Sequence, residues 1–585
     1  MTADSKAGAA GELLAPLLIL GFAFLLTAGW NLHIQAVHNP DEARYAVPAR
    51  MMLESSDFKT WLVPEFNTRP RLVKPIFFYW LIAATGAVGQ KLGLDAVTSF
   101  RLGPLLMGLL TVCGTFLIGR KLFGVRCGFI AAVILMTAKF FHDISRDLVV
   151  DMTLTAFLLW AWVFALYALD RIRSSRPAFW MLLGFYLCLG FSSMTKGPAL
   201  AGIFVIAPLL AMLAREGRLS DLRHTGLVWG VPLALAVGLW WFFAVEMAGH
   251  NMRAVLKTEN LARAVGGKDH QHYMPLWFYI RNLFENFVPW CVLFPFVGWF
   301  TYRYLRGAEA APAPASSTLN GERLLFCALG VGFVLLGLIV SKRALYLLPL
   351  YPFFALWLAW FWEVKFLARE GEPCGKSLSA VFVLLPALLV GGCGIVVSKR
   401  ELLGLQDTEL ALLLILCGAI AVQLFFVSRS MAAGLRVKAT FQILAAAAAL
   451  CIGYEAVVRP VHERDEDSVV FYRKVCEQLN GRKVVMLGDS SNEAVWYLNR
   501  PKESIDDVRY PDLKSRFFDA GEVVLLAKER ELLSTPKLKD VLIIERMLER
   551  GNDKWVMAVP DKSKTPDPSI FVPKRSRAAA VENED

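Results

Sequence analysis

Between Asn39 and Trp80, directly after the first long apolar run, the chain reads NPDEARYAVPARMMLESSDFKTWLVPEFNTRPRLVKPIFFYW. Asp41, Glu42, Arg44 and Lys74 lie in it, a polar density that is costly beside a membrane span unless it meets water or a reactive polar ligand. Asp41 and Glu42 open a predicted helix, where the dipole favours carboxylates. Asp41, three residues from Arg44, is equally placed for acid–base or orienting work. Lys74 stands in a Lys-Pro step, where a snorkelling role is the plain alternative. Further on, Arg146, Asp147 and Asp151 form an acidic–basic knot at a span end, which an interfacial salt bridge would also explain. Lys196 sits in a short Ser-Met-Thr-Lys-Gly-Pro turn that needs its Gly-Pro but not its cation. A polar stretch carries Glu259, Arg263, His270 and His272, and two histidines two apart are a weak metal signal. Lys342, Arg343 and Tyr346 close the set. Five or more cations with few acids imply an anionic ligand, and arginine and lysine both take phosphate oxygens. At the mouth of a bilayer-embedded cavity that anion is a lipid phosphate.

These residues must be positioned by membrane helices. Of the 585 residues 56% are hydrophobic and only 19% charged, with a net charge of +11 and a mean hydropathy of +0.47. A soluble fold cannot hide that much apolar surface, so the chain is a polytopic α-helical membrane protein. About thirteen spans are predicted, at 12–30, 102–119, 126–143, 151–169, 178–194, 198–213, 226–246, 283–302, 323–340, 345–364, 378–396, 409–428 and 439–457. The first is read as a retained span. Segment 74–92 is a short apolar helix, and laying it on the surface puts the arginine-rich loops 119–126, 170–176, 215–224, 302–307 and 428–438 on one side. The positive-inside rule makes that side cytoplasmic. Asp41, Lys74, Arg146, Asp147, Asp151, Lys196, Glu259, Arg263, Lys342 and Tyr346 then all fall at the opposite, outer face, and none of them belongs to the arginine-rich loops that set the topology. That convergence argues for one site.

The ten cysteines are scattered, mostly within apolar runs, and no CxxC pair suggests a disulfide framework or zinc ribbon. Residues 306–322 read as a Pro/Ala/Ser-rich linker. Beyond residue 458 the composition becomes that of a soluble domain, with helices and strands alternating, so a small outer α/β domain is expected. The predicted organisation is a transmembrane domain over 1–460, an α/β domain over 461–573 and a disordered tail over 574–585.

In motif order the chain resembles the lipid-linked-sugar transferases of the aminoarabinose-transferase and protein-mannosyltransferase kind, a GT-C glycosyltransferase superfamily. The matching stretches are DEARYA (41–46), LVKPIFFYWL (72–81), GRKLFG (119–124), SRDLVVDMTLTAF (145–157), TKGP (195–198), ENLARAVGG (259–267) and SKRALYLLPLYP (341–352). The resemblance implies a GT-C membrane fold with two juxtamembrane helices in the first outer loop and a polyprenyl-phosphate-sugar donor. It implies that Asp41 and Asp151 are the catalytic carboxylates. It places Lys74, Lys196, Arg263 and Tyr346 on the donor phosphate. The remaining polar residues of the set, Glu42, Arg44, Arg146, Glu259, His270, His272, Lys342 and Arg343, are the further candidates for substrate contact on their residue types alone. The family's Glu before the Lys-Pro is Val73 here, so no metal and no other cofactor is expected. The expected activity is inverting sugar transfer at the outer face of a bacterial inner membrane, with lipid A as acceptor. Alternatives are a protein O-mannosyltransferase-like enzyme and a lipid or solute transporter, although no internal repeat favours the last. Nucleic acid is not an expected partner.

Overall fold

A computed structural model describes residues 3–37, 40–66, 69–252, 274–275, 277–307, 318–372, 397–398, 406–465, 468–479, 482–487, 492–498, 506–508, 517–519, 523–533, 536–550 and 553–571. Two compact units result. The first is Met1–His33, Trp61–Val63 and Leu72–Pro460; the second is Ile34–Thr60, Pro64–Arg71 and Val461–Asp585.

The first unit is helical. Among the described residues seven helices are long and apolar enough to cross a bilayer: Ala96–Phe123, Val150–Arg173, Leu227–Met247, Gly321–Leu338, Ala344–Arg369, Asp407–Ala432 and Arg436–Val461. Phe278–Asn286 and Trp290–Leu305 make an eighth if the pair, bent by 118°, is one span. Other runs read as spans fall on Phe179–Lys196 and on the shorter helices Leu13–Ala28, Val125–Met136 and Ala199–Arg215. The run 378–396 lies outside the described residues. Segment 74–92 forms the helix Phe77–Lys91.

Local sequence sets these elements. The Asp95 carboxylate accepts from the Thr98 N–H at 3.0 Å and caps Ala96–Phe123, and Gly124, at φ 100°, ends it. A Cβ on Gly119 would stand 2.6 Å from the Gly128 Cα, so Ala96–Phe123 and Val125–Met136 touch backbone to backbone, as small residues permit in membrane helices. Val150–Arg173 is buried on nearly every side, and its Trp162 indole donates to the Phe204 carbonyl at 2.8 Å. Trp80 and Trp241 donate to the carbonyls of Trp61 and Leu62, each at 2.8 Å.

Charge is sorted to the two ends of this unit. At one end Lys121 meets Asp170 at 2.5 Å and Arg126 meets Glu363 at 2.5 Å, while Arg173 bridges Glu216 and Asp221 at 2.6 and 2.9 Å. Asp151 lies at the other end of Val150–Arg173, about 33 Å from Arg173 along the helix axis. That is close to the thickness of a bilayer's hydrocarbon core. The arginine-rich loops and the Asp151–Lys196 end therefore face opposite ways along the same helices.

The second unit carries a five-stranded mixed sheet. Its strands are β3 (Lys483–Leu487), β4 (Asp506–Val508), β5 (Val523–Lys528), β6 (Leu542–Arg550) and β7 (Asp553–Pro560), in the order β4-β3-β5-β7-β6. A two-residue pair, β1 (Glu65–Phe66) and β2 (Arg69–Pro70), belongs to the first loop. β3 runs parallel to β4 and β5, β7 antiparallel to β5 and β6. VVLLAK in β5 is buried on both faces, as a central strand should be. Phe471, Val475 and Leu479, four apart, put the buried stripe on helix Ser468–Leu479.

The helix Pro40–Glu54, which carries Asp41, belongs to this same unit. Ala43, Ala46, Val47, Ala49 and Met52 are its buried face. The Arg50 guanidinium lies 4.6 Å from the Trp496 ring centroid and donates to the Trp496 carbonyl at 3.3 Å. Just upstream, the Val37 N–H donates to the Tyr497 hydroxyl at 2.8 Å and the Ala36 N–H to Glu463 at 2.9 Å. Losing the Trp496 ring costs about 1–2 kcal/mol of this docking, so Trp496→Ala should make the helix open roughly ten times more often. Limited proteolysis of the full chain after Arg44 and Arg50 checks this; an unchanged cleavage rate would show that the ring holds nothing.

Candidate active site

Asp151 and Lys196 come together because two helices run side by side in opposite senses. Asp151 is in the first turn of Val150–Arg173, and Lys196 is the last residue of Phe179–Lys196, which Gly197 ends at φ 95°. Helix dipoles favour a carboxylate at an N-terminus and a cation at a C-terminus, so both groups gain from their places. The Lys196 ammonium lies 2.5 Å from the Asp151 carboxylate and 4.6 Å from the Tyr346 ring centroid. Both charged side chains are over nine-tenths buried. Three separate elements thus bring an acid, a cation and a phenol to one point.

Below this point sits an aromatic wall. The ring centroids of Phe77, Phe157 and Phe191 are 5.1–5.4 Å apart. Phe77 follows Lys74-Pro75 closely, so its contacts bring that turn to the Asp151–Lys196 end. Lys74 itself is half-buried. Lys342 is buried and donates to the Ile339 carbonyl at 2.7 Å, while Arg343 is exposed and its carbonyl accepts from the Tyr346 N–H at 3.0 Å.

Arg146 has another setting. It is fully enclosed, donating to the carbonyls of Ala28 and Trp30 at 2.6 and 2.7 Å, with the Glu455 carboxylate 2.9 Å away. Glu455, also fully buried, meets His142 at 3.0 Å and Arg459 at 2.7 Å, and Arg459 reaches Asp143 at 2.9 Å. Burial pushes the Arg146 guanidinium down to about 10, against the opposing pull of Glu455, so it stays a cation at neutral pH. The salt-bridge explanation raised for the Arg146–Asp151 knot thus applies to Arg146, through a partner far along the chain. Asp151 pairs separately with Lys196.

In the second unit, Asp41 accepts from Arg44 at 3.0 Å, and Glu42 is buried. Glu259, Arg263, His270 and His272 lie outside the described residues. Sequence reasoning did not pick out Phe77, Phe157 and Phe191, since phenylalanines in apolar runs carry no separate signal. It also passed over Glu455, although a lone carboxylate in an apolar run is such a signal.

Among the described residues no group of three or more His, Cys, Asp and Glu side chains is placed to hold a metal ion. Where the resemblance implies a Glu, Val73 offers no side-chain oxygen to a divalent cation, so this position does not fit a metal.

Comparison with known proteins agrees with this architecture. Residues 73–242 match the family model described as dolichyl-phosphate-mannose-protein mannosyltransferase. The undecaprenyl phosphate-alpha-4-amino-4-deoxy-L-arabinose arabinosyl transferase 1 of Pseudomonas fluorescens (strain Pf0-1) is 30% identical over 275 residues, 46% of each chain. The corresponding enzyme of Sodalis glossinidius is 28% identical over 396 residues, 65% of this chain and 66% of its own. The chain thus spans about half the length of the first of these relatives and about two thirds of the second. The crystal structure of ArnT from Cupriavidus metallidurans bound to undecaprenyl phosphate superposes with a TM-score of 0.69 at 16% identity, over 97% of this chain and 99% of that one. The chain is a multi-pass membrane protein with the GT-C fold, and it resembles the aminoarabinose transferases.

Proposed function

We propose that this chain moves a sugar from a polyprenyl-phosphate-linked donor to lipid A, at the outer face of a bacterial inner membrane, with an aminoarabinose-type sugar as cargo. The observation that carries the reading is Lys196, a buried cation held between Asp151 and the Tyr346 ring at one end of the helices. The names of the relatives and the GT-C fold support the same class of reaction.

In the proposed chemistry the acceptor oxygen attacks the anomeric carbon as the bond to the polyprenyl phosphate breaks, with inversion. Negative charge grows on the departing phosphate, and a fixed cation is worth most where charge develops. Lys196 supplies that cation and Tyr346 confines it; Lys74 and Arg263 join it on the strength of the resemblance. A carboxylate stabilises the oxocarbenium-like sugar, the role given to Asp151. Asp41 is the general base if the acceptor is a hydroxyl. If the acceptor is a phosphate on lipid A, the nucleophile is already anionic and Asp41 orients it.

The match to a protein-mannosyltransferase model favours one second reading, in which the acceptor is protein. Mass spectrometry of lipid A and of envelope glycoprotein, from cells with and without the gene and with an Asp41→Ala copy, separates them. Loss of one sugar from lipid A in both the null and the mutant is expected. Loss from protein instead would move the assignment to O-glycosylation. Unchanged glycans with altered lipid distribution would overturn transfer in favour of transport.

A further inference from the structure

At the arginine-rich end of the first unit, far from Asp151 and Lys196, lies an open cavity of about 500 Å3, whose lining includes Ser175, Arg176, Phe179, His224, Gly226 and Trp229. It is built by the ends of three helices. Val150–Arg173 stops at Ser174, Ser175 turns the chain at φ 53°, and Phe179–Lys196 begins one wall. Gly226, at φ 66°, starts Leu227–Met247, and a Cβ there would stand 2.3 Å from the Trp229 indole nitrogen. Only glycine allows Trp229 to fold back over that turn. The Trp229 ring then packs on Phe179 and Tyr186, both at 5.4 Å between centroids, and the Tyr186 hydroxyl donates to the Thr225 carbonyl at 3.0 Å.

The charges around this cavity are unevenly used. Arg173 is taken by Glu216 and Asp221, Asp170 by Lys121, and Arg171 by the Pro177 carbonyl. Arg176 and His224 point no side-chain hydrogen bond or ion pair at any group among the described residues, and no carboxylate lines the cavity. An exposed guanidinium with a free fork, an imidazole beside it and aromatic walls suit a phosphate ester. Trp180 and Val228, 74% and 91% exposed, adjoin it as apolar surface for chains to lie on. Belts of tryptophan beside arginine are where head groups meet such helices.

We propose that this cavity binds the head group of an anionic phospholipid in the leaflet facing away from Asp151 and Lys196. The assignment does not depend on the transfer reaction. The full chain, purified in a neutral detergent, is titrated with phosphatidylglycerol, phosphatidylcholine or inorganic phosphate, and retained lipid is counted by native mass spectrometry. Phosphatidylglycerol should be retained in preference to phosphatidylcholine. Arg176→Ala should weaken that retention roughly tenfold and Arg176→Lys less, since lysine keeps the charge but not the fork. Arg218→Ala, at an exposed arginine on a neighbouring loop outside the cavity, should leave it unchanged. Equal retention of the two lipids, or equal loss in Arg176→Ala and Arg218→Ala, would overturn the proposal. Displacement of the lipid by inorganic phosphate at matching concentration would assign the cavity to free phosphate and overturn it too.

Discussion

Lys196→Ala is expected to lower turnover roughly a hundred- to thousandfold, the usual cost of removing one group aimed at charge that forms in a transition state. The Lys196 ammonium is the cation that two antiparallel helix ends and the Tyr346 ring hold in place. Because phosphate charge rises as the sugar departs, kcat and kcat/KM should fall together, with KM changing little. The substitution also leaves the Asp151 carboxylate, 4% exposed, without its cation. Lys196→Arg should recover part of the loss, since the charge returns in a wider, planar group. Steady-state kinetics with a polyprenyl-phosphate donor measure this. An alanine variant within threefold of wild type would remove Lys196 from the chemistry.

The second large effect is on stability. Glu455 is ion-paired with the buried Arg146, and it also meets His142 and Arg459. Through Arg146 it fixes the Ala28 and Trp30 carbonyls, and its own carbonyl accepts from the Asn31 side chain at 3.0 Å. The end of the first helix, Lys139–Ile144 and the last span are therefore tied together without contact to Lys196. Removing one partner of a buried ion pair costs about 3–5 kcal/mol, because the remaining charges stay buried. Glu455→Ala should lower Tm in detergent by several degrees or prevent recovery of folded chain, and Glu455→Gln should cost less. A Glu455→Ala protein with wild-type Tm would show that the network contributes no stability.

These two results bear differently on what the sequence reveals. Asp151, Lys196 and Tyr346 could be brought to one face because span lengths and arginine-rich loops fix parity. Their contact could not be read, since it depends on which helices pack side by side. The Arg146–Glu455 pair joins residues more than three hundred positions apart, and nothing local to SRDLVVD distinguishes a structural arginine from a phosphate-binding one. The strands of the second unit were legible from their apolar runs, VVML, VVLLA and WVMAV among them. That the helix carrying Asp41 shares a unit with residues 461–585 was not legible. Its signal was only Arg50, within that helix, and an aromatic pair, Trp496 and Tyr497, in a distant helix. Tertiary pairing of that kind leaves no period in the sequence.

The most direct test of sugar transfer is a reconstituted reaction with the purified full chain. It is supplied with undecaprenyl phosphate-linked aminoarabinose and lipid A, and both products are followed by mass spectrometry. Lipid A should gain one aminoarabinose for each undecaprenyl phosphate released, and the Asp151→Asn protein should release neither product at a comparable rate. Donor left intact, or donor consumed with no gain on lipid A, would contradict transfer to lipid A.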